Sequence, residues 1–385
     1  MSIVTTTIQN QGIQDIDALI EFCNTQYVNV TYSPLEGLLR LYFIGKQFDK
    51  TPENPFQKAC NGLILYMNNM MKVAAHGYEC FEEYNELPNN IEYTDIVEMS
   101  IVPDGTVLKY FYNHESKSWN IATNRTVSAY WRYAYYTSPR VFGALFDDAA
   151  NIKRRGGIDN EALDTNVTYV FVLQHPENII ANRFSEPGLI HVLSKHNETN
   201  KTIPELNVYY SSGEIIPKCT TIYKNTDSDM DHATTMNILN SLNMSNVEGI
   251  LFTRNDDSYF KVYTTSYLEE KEKRKINNLI FHRFIKNRGY DRNWARVKSD
   301  KEKQMEHECA TRFSEIVSLL HKEYMQTIVY KKSYRRKKWS APTEEILANL
   351  HSIFKGTKQQ ITPNYLSNYL FDNTDKLLKF IHITE

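Results

Sequence analysis

Cations and aromatic rings alternate closely near the end of this chain, in Lys331-Lys332-Ser333-Tyr334-Arg335-Arg336-Lys337-Lys338-Trp339. Side chains of these types at this spacing neutralise phosphates and stack on unpaired bases. Tyr290, Arg292, Trp294 and Arg296 offer the same combination upstream. Arg292, Arg296, Lys331, Lys332, Arg335, Arg336, Lys337, Lys338 and Trp339 are therefore the candidate nucleic-acid contacts. The run reads equally as a protein-docking surface or a localisation signal. A second aromatic run, Tyr130-Trp131-Arg132-Tyr133-Ala134-Tyr135-Tyr136, offers ring faces either for stacking or for packing a sheet.

Other chemistries lack their residues. The chain has no Gly-rich phosphate loop, and Arg154-Arg155-Gly156-Gly157 reads as an exposed basic turn. No Gly-x-Ser-x-Gly pattern occurs. His307 and Cys309 are the nearest approach to a metal spacing, and on a helix they face different sides. No metal is expected. The five cysteines are scattered, which suits reduced thiols in an intracellular, cytoplasmic protein. Neither a signal peptide nor an apolar run of about 18 residues is evident, so no membrane partner is expected. Sequons such as those at Asn29 and Asn197 follow from an Asn- and Thr-rich composition.

A net charge of −2 hides an uneven distribution. From Leu268 onward there are 24 Lys and Arg against 15 Asp and Glu, while the preceding residues hold 20 against 31. A basic C-terminal third on an acidic body suits a polyanion-facing region, or a solvated helical surface folded against that body.

The elements that carry these residues follow from periodicity. Residues 13–45 read as helical, from Ile16, Leu19, Ile20, Phe22 and Cys23 and then Leu35, Leu38, Leu39, Leu41 and Tyr42. Strand-like runs follow at Gly62–Tyr66, Thr106–Tyr112, Val167–Leu173, Leu189–Leu193 and Ser258–Tyr263, with helices near 141–150 and 231–243. After Tyr267 the strand signal stops. A long helix from about Asp300 carries Met305, Cys309, Phe313, Ile316, Leu320, Tyr324 and Ile328, and shorter helices begin at Pro342 and Pro363. The pattern predicts an N-terminal helical segment (1–45), an α+β domain (46–267) and a basic all-α domain (268–385).

The middle region resembles the nucleotidyltransferase domain of the phage-type RNA ligases, the tRNA-repair ligase family, over about residues 60–267. The resemblance rests on ordered short motifs: Cys60-Asn61-Gly62-Leu63-Ile64-Leu65, the Phe-rich segment from Gly77 to Glu86, Val102-Pro103-Asp104-Gly105 with the strand after it, Trp119 to Thr123, Phe171 to Ile180, Val247-Glu248-Gly249-Ile250, and Phe260-Lys261-Val262-Tyr263. It implies antiparallel sheets with flanking helices, ATP and Mg as cofactors of an active member, and an RNA partner for a helical C-terminal domain.

In the family a lysine two residues before Asp-Gly attacks ATP to form a lysine–AMP intermediate. Here that position is Val102, which has no lone pair. Other working groups also differ, at Asn61, Cys80, Val172 and Tyr263. The remnant of the nucleotide site is Asp104, Gly105, Glu248, Gly249 and Lys261. Each has a plainer reading as well: Val-Pro-Asp-Gly is a good β-turn, and Glu248-Gly249 a strand start.

The resemblance thus implies a ligase-like protein without covalent catalysis or a required cofactor, acting as a nucleic-acid-binding or scaffolding protein that contacts RNA or DNA through its basic C-terminal domain. Two alternatives stand beside it. One is an active ATP-dependent RNA ligase with a relocated lysine, for which Lys72 and Lys261 come into question if the fold brings them to the phosphate, whereas Lys109, seven residues past Val102 and about 20 Å along an extended strand, cannot replace the nucleophile without a different hairpin. The other is a virion-structural or assembly protein that binds only protein partners. An Asn-, Tyr- and Lys-rich chain suits an AT-rich genome, which points to a virus-encoded or virion-associated protein.

Overall fold

The computed structural model describes residues 2–45, 51–77, 82–130, 141–178, 180–203, 206–224, 230–242, 247–256, 258–273, 281, 284–285, 300–330, 341–374 and 376–377. The chain divides into two compact units, one of residues 1–131 and 145–271, the other of residues 132–144 and 272–385.

The first unit opens with two short helices, α1 (Ile3–Asn10) and α2 (Ile16–Thr25). Asp15 starts α2 by accepting the Ala18 N–H at 2.8 Å, which satisfies one of the donors a helix start leaves unpaired. The helical reading of 13–45 stops there. Val28–Ser33 (β1) and Leu38–Phe43 (β2) are instead antiparallel strands, with Val28 opposite Phe43. Helix α3 (Pro55–Ala59) leads to β3 (Asn61–Tyr66) and β4 (Val73–Ala75), and the four strands form one sheet in the order β1-β2-β3-β4. Val4, Ile8, Leu19 and Cys23 of the helices pack with Leu39, Leu41, Leu63 and Leu65 of the strands.

Two further sheets follow. Strands β5 (Glu82–Tyr84), β6 (Ile96–Pro103), β7 (Thr106–Asn113) and β8 (Ser118–Thr123) precede α4 (Phe142–Asn151). Then come β9 (Val167–Gln174), β10 (Gly188–His196), β11 (Thr221–Lys224), α5 (His232–Ser241), β12 (Val247–Arg254) and β13 (Tyr259–Tyr263). The second sheet runs β10-β9-β7-β8 and the third β11-β6-β12-β13-β5, with β5 parallel to β13.

Strands β6 and β7 therefore belong to different sheets. The turn at Asp104-Gly105 is a crossing from one sheet to the next: β6 pairs with β11 and β12, β7 with β8 and β9. Gly105 makes the crossing sterically possible. It has φ +150°, and a Cβ there would lie 2.5 Å from the Leu173 carbonyl oxygen.

The third sheet buries one face. Met99, Ile250, Phe252, Phe260 and Val262 form a core with Leu239 of α5, and Phe252 stacks on Phe260 at 4.5 Å. The second sheet packs Phe111 and Ala122 against Leu38, Ile64 and Ala75 of the first. Its Tyr110 and Phe171 meet Phe146 of α4 at 5.7 and 6.0 Å.

Residues 265–273 form a helix, α6, that begins directly after β13. The second unit is helical where described, with α7 (Asp300–Tyr324), α8 (Ala341–Thr357) and α9 (Pro363–Asp372). Cys309, Phe313, Val317, Leu320 and Tyr324 form the buried stripe of α7, packed with Ile346, Leu350, Leu366 and Leu370. Val317 takes the fully buried place predicted for Ile316, which is only partly covered. The fold is thus α+β, antiparallel sheets with flanking helices, together with a helical C-terminal region.

Candidate functional site

Residues paired across antiparallel strands project to the same side of a sheet. Val102 pairs with Gly249, and Gly249 pairs with Tyr263. Ser100, Leu251 and Lys261 make the next row on that side. This is the face opposite the α5 core. Gly249 lets the strands close up there, since a Cβ would lie 2.2 Å from the Val262 carbonyl oxygen.

The preceding residue should project to the buried side, and it does not. Pairing between β12 and β6 shifts between Val247 and Gly249, which leaves Glu248 as an extra residue in the strand. Such a bulge re-aims a side chain. The Glu248 carboxylate accepts from Lys261 Nζ at 2.7 Å, and the Glu83 carboxylate of β5 lies 3.2 Å from the same nitrogen. Lys261 is 5 % exposed. Burial opposes its charge, but Glu248, Tyr263 and Glu83 outweigh burial and raise its pKa above the ordinary lysine value. Its amine is a bound cation, with its lone pair taken up by a proton.

Asp104 lies at the crossing between sheets and is fully buried. Its Oδ2 accepts from the Asn182 backbone N–H at 2.7 Å and from Asn182 Nδ2 at 3.1 Å. Gln174 Nε2 donates to the Asp104 carbonyl at 3.0 Å, and Asn178 Nδ2 to Thr106 Oγ1 at 2.8 Å. The loop after β9 thus fixes both sides of the crossing.

Tyrosines complete the cluster. The Tyr263 and Tyr267 rings are parallel, with centroids 5.5 Å apart and planes 3° apart. Lys261 Nζ lies 4.4 Å from the Tyr263 centroid, and Lys271 Nζ lies 5.4 and 5.3 Å from the two rings. Burial pushes the Tyr263 hydroxyl up to about 12, against the lowering effect of Lys261. The Tyr267 hydroxyl is raised by burial and then by Glu248, Asp104, Tyr263 and Glu83, so both stay protonated at neutral pH.

Of the sequence-predicted remnant, Glu248, Gly249 and Lys261 are brought together beside Val102, and Asp104 is within electrostatic reach of Tyr267 in the same cluster. Glu83, Asn182 and Tyr267 were not anticipated as part of it. Glu83 was within reach of sequence reasoning, because Glu82 and Glu83 lie within the Phe-rich segment from Gly77 to Glu86. The other lysines in question lie elsewhere. Lys72 Nζ is 5.6 Å from the Tyr66 ring on the first sheet, and Lys109 is buried on β7 with Nζ donating to the Gly62 carbonyl. Tyr130 donates to Asp147 at 2.9 Å, while residues 131–136 of that aromatic run lie outside the described residues. So do Tyr78, Glu79, Cys80 and Phe81, and all the candidate nucleic-acid contacts: Arg292, Arg296, Lys331, Lys332, Arg335, Arg336, Lys337, Lys338 and Trp339. His175 accepts the Glu177 N–H at 3.0 Å within the loop after β9, as a loop histidine does.

A nucleotide triphosphate fits this cluster poorly. Asp104, Glu83 and Glu248 outnumber the cations Lys261 and Lys271, and Lys261 is already clasped. Among the described residues no three His, Cys, Asp or Glu side chains converge on a metal-sized position, and no helix is long and apolar enough to cross a membrane.

No family model matches the chain. No curated protein matches it either. Among solved structures it is similar to form 1 of an archaeal ATP-dependent RNA ligase, at 13% identity and TM-score 0.45 over 80% of this chain and 78% of that one. Form 2 of the archaeal ATP-dependent RNA ligase gives 12% identity and TM-score 0.45 over 82% and 83%. An Aquifex aeolicus protein assigned as an ATP-dependent DNA ligase gives 12% identity and TM-score 0.42 over 89% and 80%. At TM-scores below 0.5 these likenesses show neither a shared family nor an activity.

Proposed function

We propose that the chain is an RNA-ligase-like protein without covalent catalysis, acting as a nucleic-acid-binding or scaffolding protein. One observation carries the reading. Val102, at the place of the attacking lysine, shares a row with Gly249 and Tyr263, and the amine of that cluster is Lys261, held by Glu248 and Glu83. A protonated, doubly clasped lysine is a poor nucleophile toward phosphorus. The ordered motifs supply the ligase-like part of the reading, and the basic segments around Arg292 and Arg335 supply the polyanion-binding part.

Incubation of the full chain with labelled ATP and Mg²⁺ is expected to leave no label on the protein after denaturation. A covalent AMP adduct that disappears when one lysine is replaced would overturn the reading in favour of an active ligase. Retention on single-stranded RNA is expected to fall steeply with salt, and to fall further when Arg335, Arg336, Lys337 and Lys338 are neutralised together. Retention that ignores both salt and those substitutions would instead favour an assembly protein without nucleic-acid contacts.

A further inference from the structure

We propose that the outer edge of β1 pairs with β1 of a second copy of this chain, so that two four-stranded sheets join into one. The proposal stands apart from the nucleic-acid reading above.

The register between β1 and β2 decides which backbone groups are open. Ile44 donates to the Tyr27 carbonyl at 2.8 Å, one step before the Val28–Phe43 pair. Hydrogen-bonded and non-hydrogen-bonded pairs alternate along an antiparallel ladder. Asn29, Thr31 and Ser33 therefore bond to β2, while Val28, Val30 and Tyr32 turn their N–H and carbonyl groups away from it. Phe43, opposite Val28, has the matching phase: its N–H serves the Cys60 carbonyl on the β3 side. Val28 is fully buried, whereas Val30 is half-buried and Tyr32 is 49 % exposed. Among the described residues nothing hydrogen bonds to the backbone of Val30 or Tyr32. Arg40 holds this stretch in place from β2, donating to Thr31 Oγ1 and Asn29 Oδ1 at 2.9 Å each.

Five other strands end the three sheets, and each is guarded. Asn197 Nδ2 donates to the Ala74 carbonyl of β4, and Ala129 donates to the Ile121 carbonyl of β8. Thr202 and Lys218 bridge to β10. Strand β11 carries a shift in register and Lys224, and β5 has only three residues, two of them Glu82 and Glu83. Charge, irregularity and cover are the ordinary protections of a sheet edge. At Val30 and Tyr32 the β1 edge has none of them. Its sequence, Val-Asn-Val-Thr-Tyr-Ser, is uncharged and its pairing with β2 is regular.

A copy of the same strand fits this opening. Laid antiparallel, with Thr31 facing its own counterpart across a two-fold axis, Val30 of each strand exchanges both backbone bonds with Tyr32 of the other. Every open donor and acceptor is then satisfied. A longer peptide would find Val28 covered at one end and Pro34, which has no N–H, at the other. No like charges meet across the axis. In this register Tyr32 lies beside Val30 of the second copy, and Leu35, 100 % exposed at the hairpin tip, lies toward its Tyr27.

Sedimentation equilibrium of the full chain tests this, and is expected to give twice the mass of one chain as concentration rises. A chain that stays monomeric up to about 1 mM would overturn the proposal. Val30→Pro removes only an outward N–H, which an edge strand tolerates, and is expected to weaken association by about tenfold or more with unchanged circular dichroism. A folded Val30→Pro chain that associates as tightly as the unaltered one would overturn it. Tyr32→Lys adds a charge of the kind that blocks edge pairing and is expected to give the same loss; undiminished association would count equally against the proposal. Hydrogen exchange needs no variant. The Val30 and Tyr32 amides are expected to slow by about tenfold or more from dilute to concentrated samples, and unchanged exchange at both in a dimeric sample would overturn it.

Discussion

The amine of Lys109 donates to the carbonyl of Gly62, and a Cβ on Gly62 would lie 2.7 Å from that nitrogen. One residue of the second sheet thus requires a glycine in the first. Gly62 also has φ +83°, and the Asn124 Cα would be 2.7 Å from its Cβ. Gly62→Ala is expected to cost about 3 kcal/mol, through strain and overpacking against backbone. Urea denaturation would measure it.

Lys109 makes stability depend on pH. It is fully buried, and burial, aided by the charge of Arg40, holds its pKa well below the ordinary lysine value. In the unfolded chain the amine keeps its proton up to about pH 10.4. The unfolded state therefore binds more protons above the folded pKa, and stability rises with pH. Unfolding free energy is expected to climb from pH 7 toward pH 9.5, and Lys109→Met is expected to flatten that part of the slope. An equal slope in both proteins would count against the buried neutral amine.

Lys261 behaves in the opposite sense. Its folded pKa is raised, so its contribution is fully present below the unfolded lysine value and is lost as pH rises through the folded one. At pH 7 its clasp with Glu248 is intact. Glu248→Gln is expected to cost about 3 kcal/mol, since it removes a partner from a mostly buried ammonium. Denaturation at pH 7 would show this loss in full.

Gly249 and Gly213 form a controlled pair. Gly213 has φ +83° with open space around it, whereas a Cβ on Gly249 would meet the Val262 carbonyl oxygen at 2.2 Å. Gly213→Ala is expected to cost about 1 kcal/mol from backbone conformation alone. Gly249→Ala is expected to cost about 3 kcal/mol or more, because two strands must separate. Melting temperatures of the two variants would rank them.

The sequon at Asn197 is expected to stay unmodified. Asn197 is 5 % exposed, its Oδ1 accepts from Thr168 at 2.6 Å, and its Nδ2 donates to the Ala74 carbonyl at 3.1 Å. Expression through a secretory route and mass analysis of the peptide would check this. Asn197→Ala is expected to cost about 2 kcal/mol by leaving buried partners unsatisfied.

The sequence was legible where β-branched and aromatic residues mark a strand and misleading where leucines do. Helices α4, α5, α8 and α9 lie close to where helical signals fell, and β7, β9, β10 and β13 close to the strand-like runs. Strand β2 reads as helix because Leu38, Leu39, Arg40 and Leu41 are good helix formers buried in succession, without the β-branched residues that mark β9. The Asp104-Gly105 crossing reads only as a β-turn in the sequence, because local turn chemistry does not reveal which sheet the next strand joins. Glu248 and Lys261 were chosen from the motifs alone. That they meet, and that Glu83 joins them, depends on a bulge and a parallel strand that no local pattern encodes.

The extra residue in β12 leaves the strand beyond it in phase with β6. Downstream of Glu248, Ile250 and Phe252 fall on the covered side and Leu251 on the open one. Deleting the residue at 248 would leave those roles intact, because six of the seven pairs between β12 and β6 follow the bulge, and would bring Val247 next to Gly249 on the covered side. The added residue therefore acts on a single side chain: it stations a carboxylate at the open surface where an unbulged strand would tuck an aliphatic one inward.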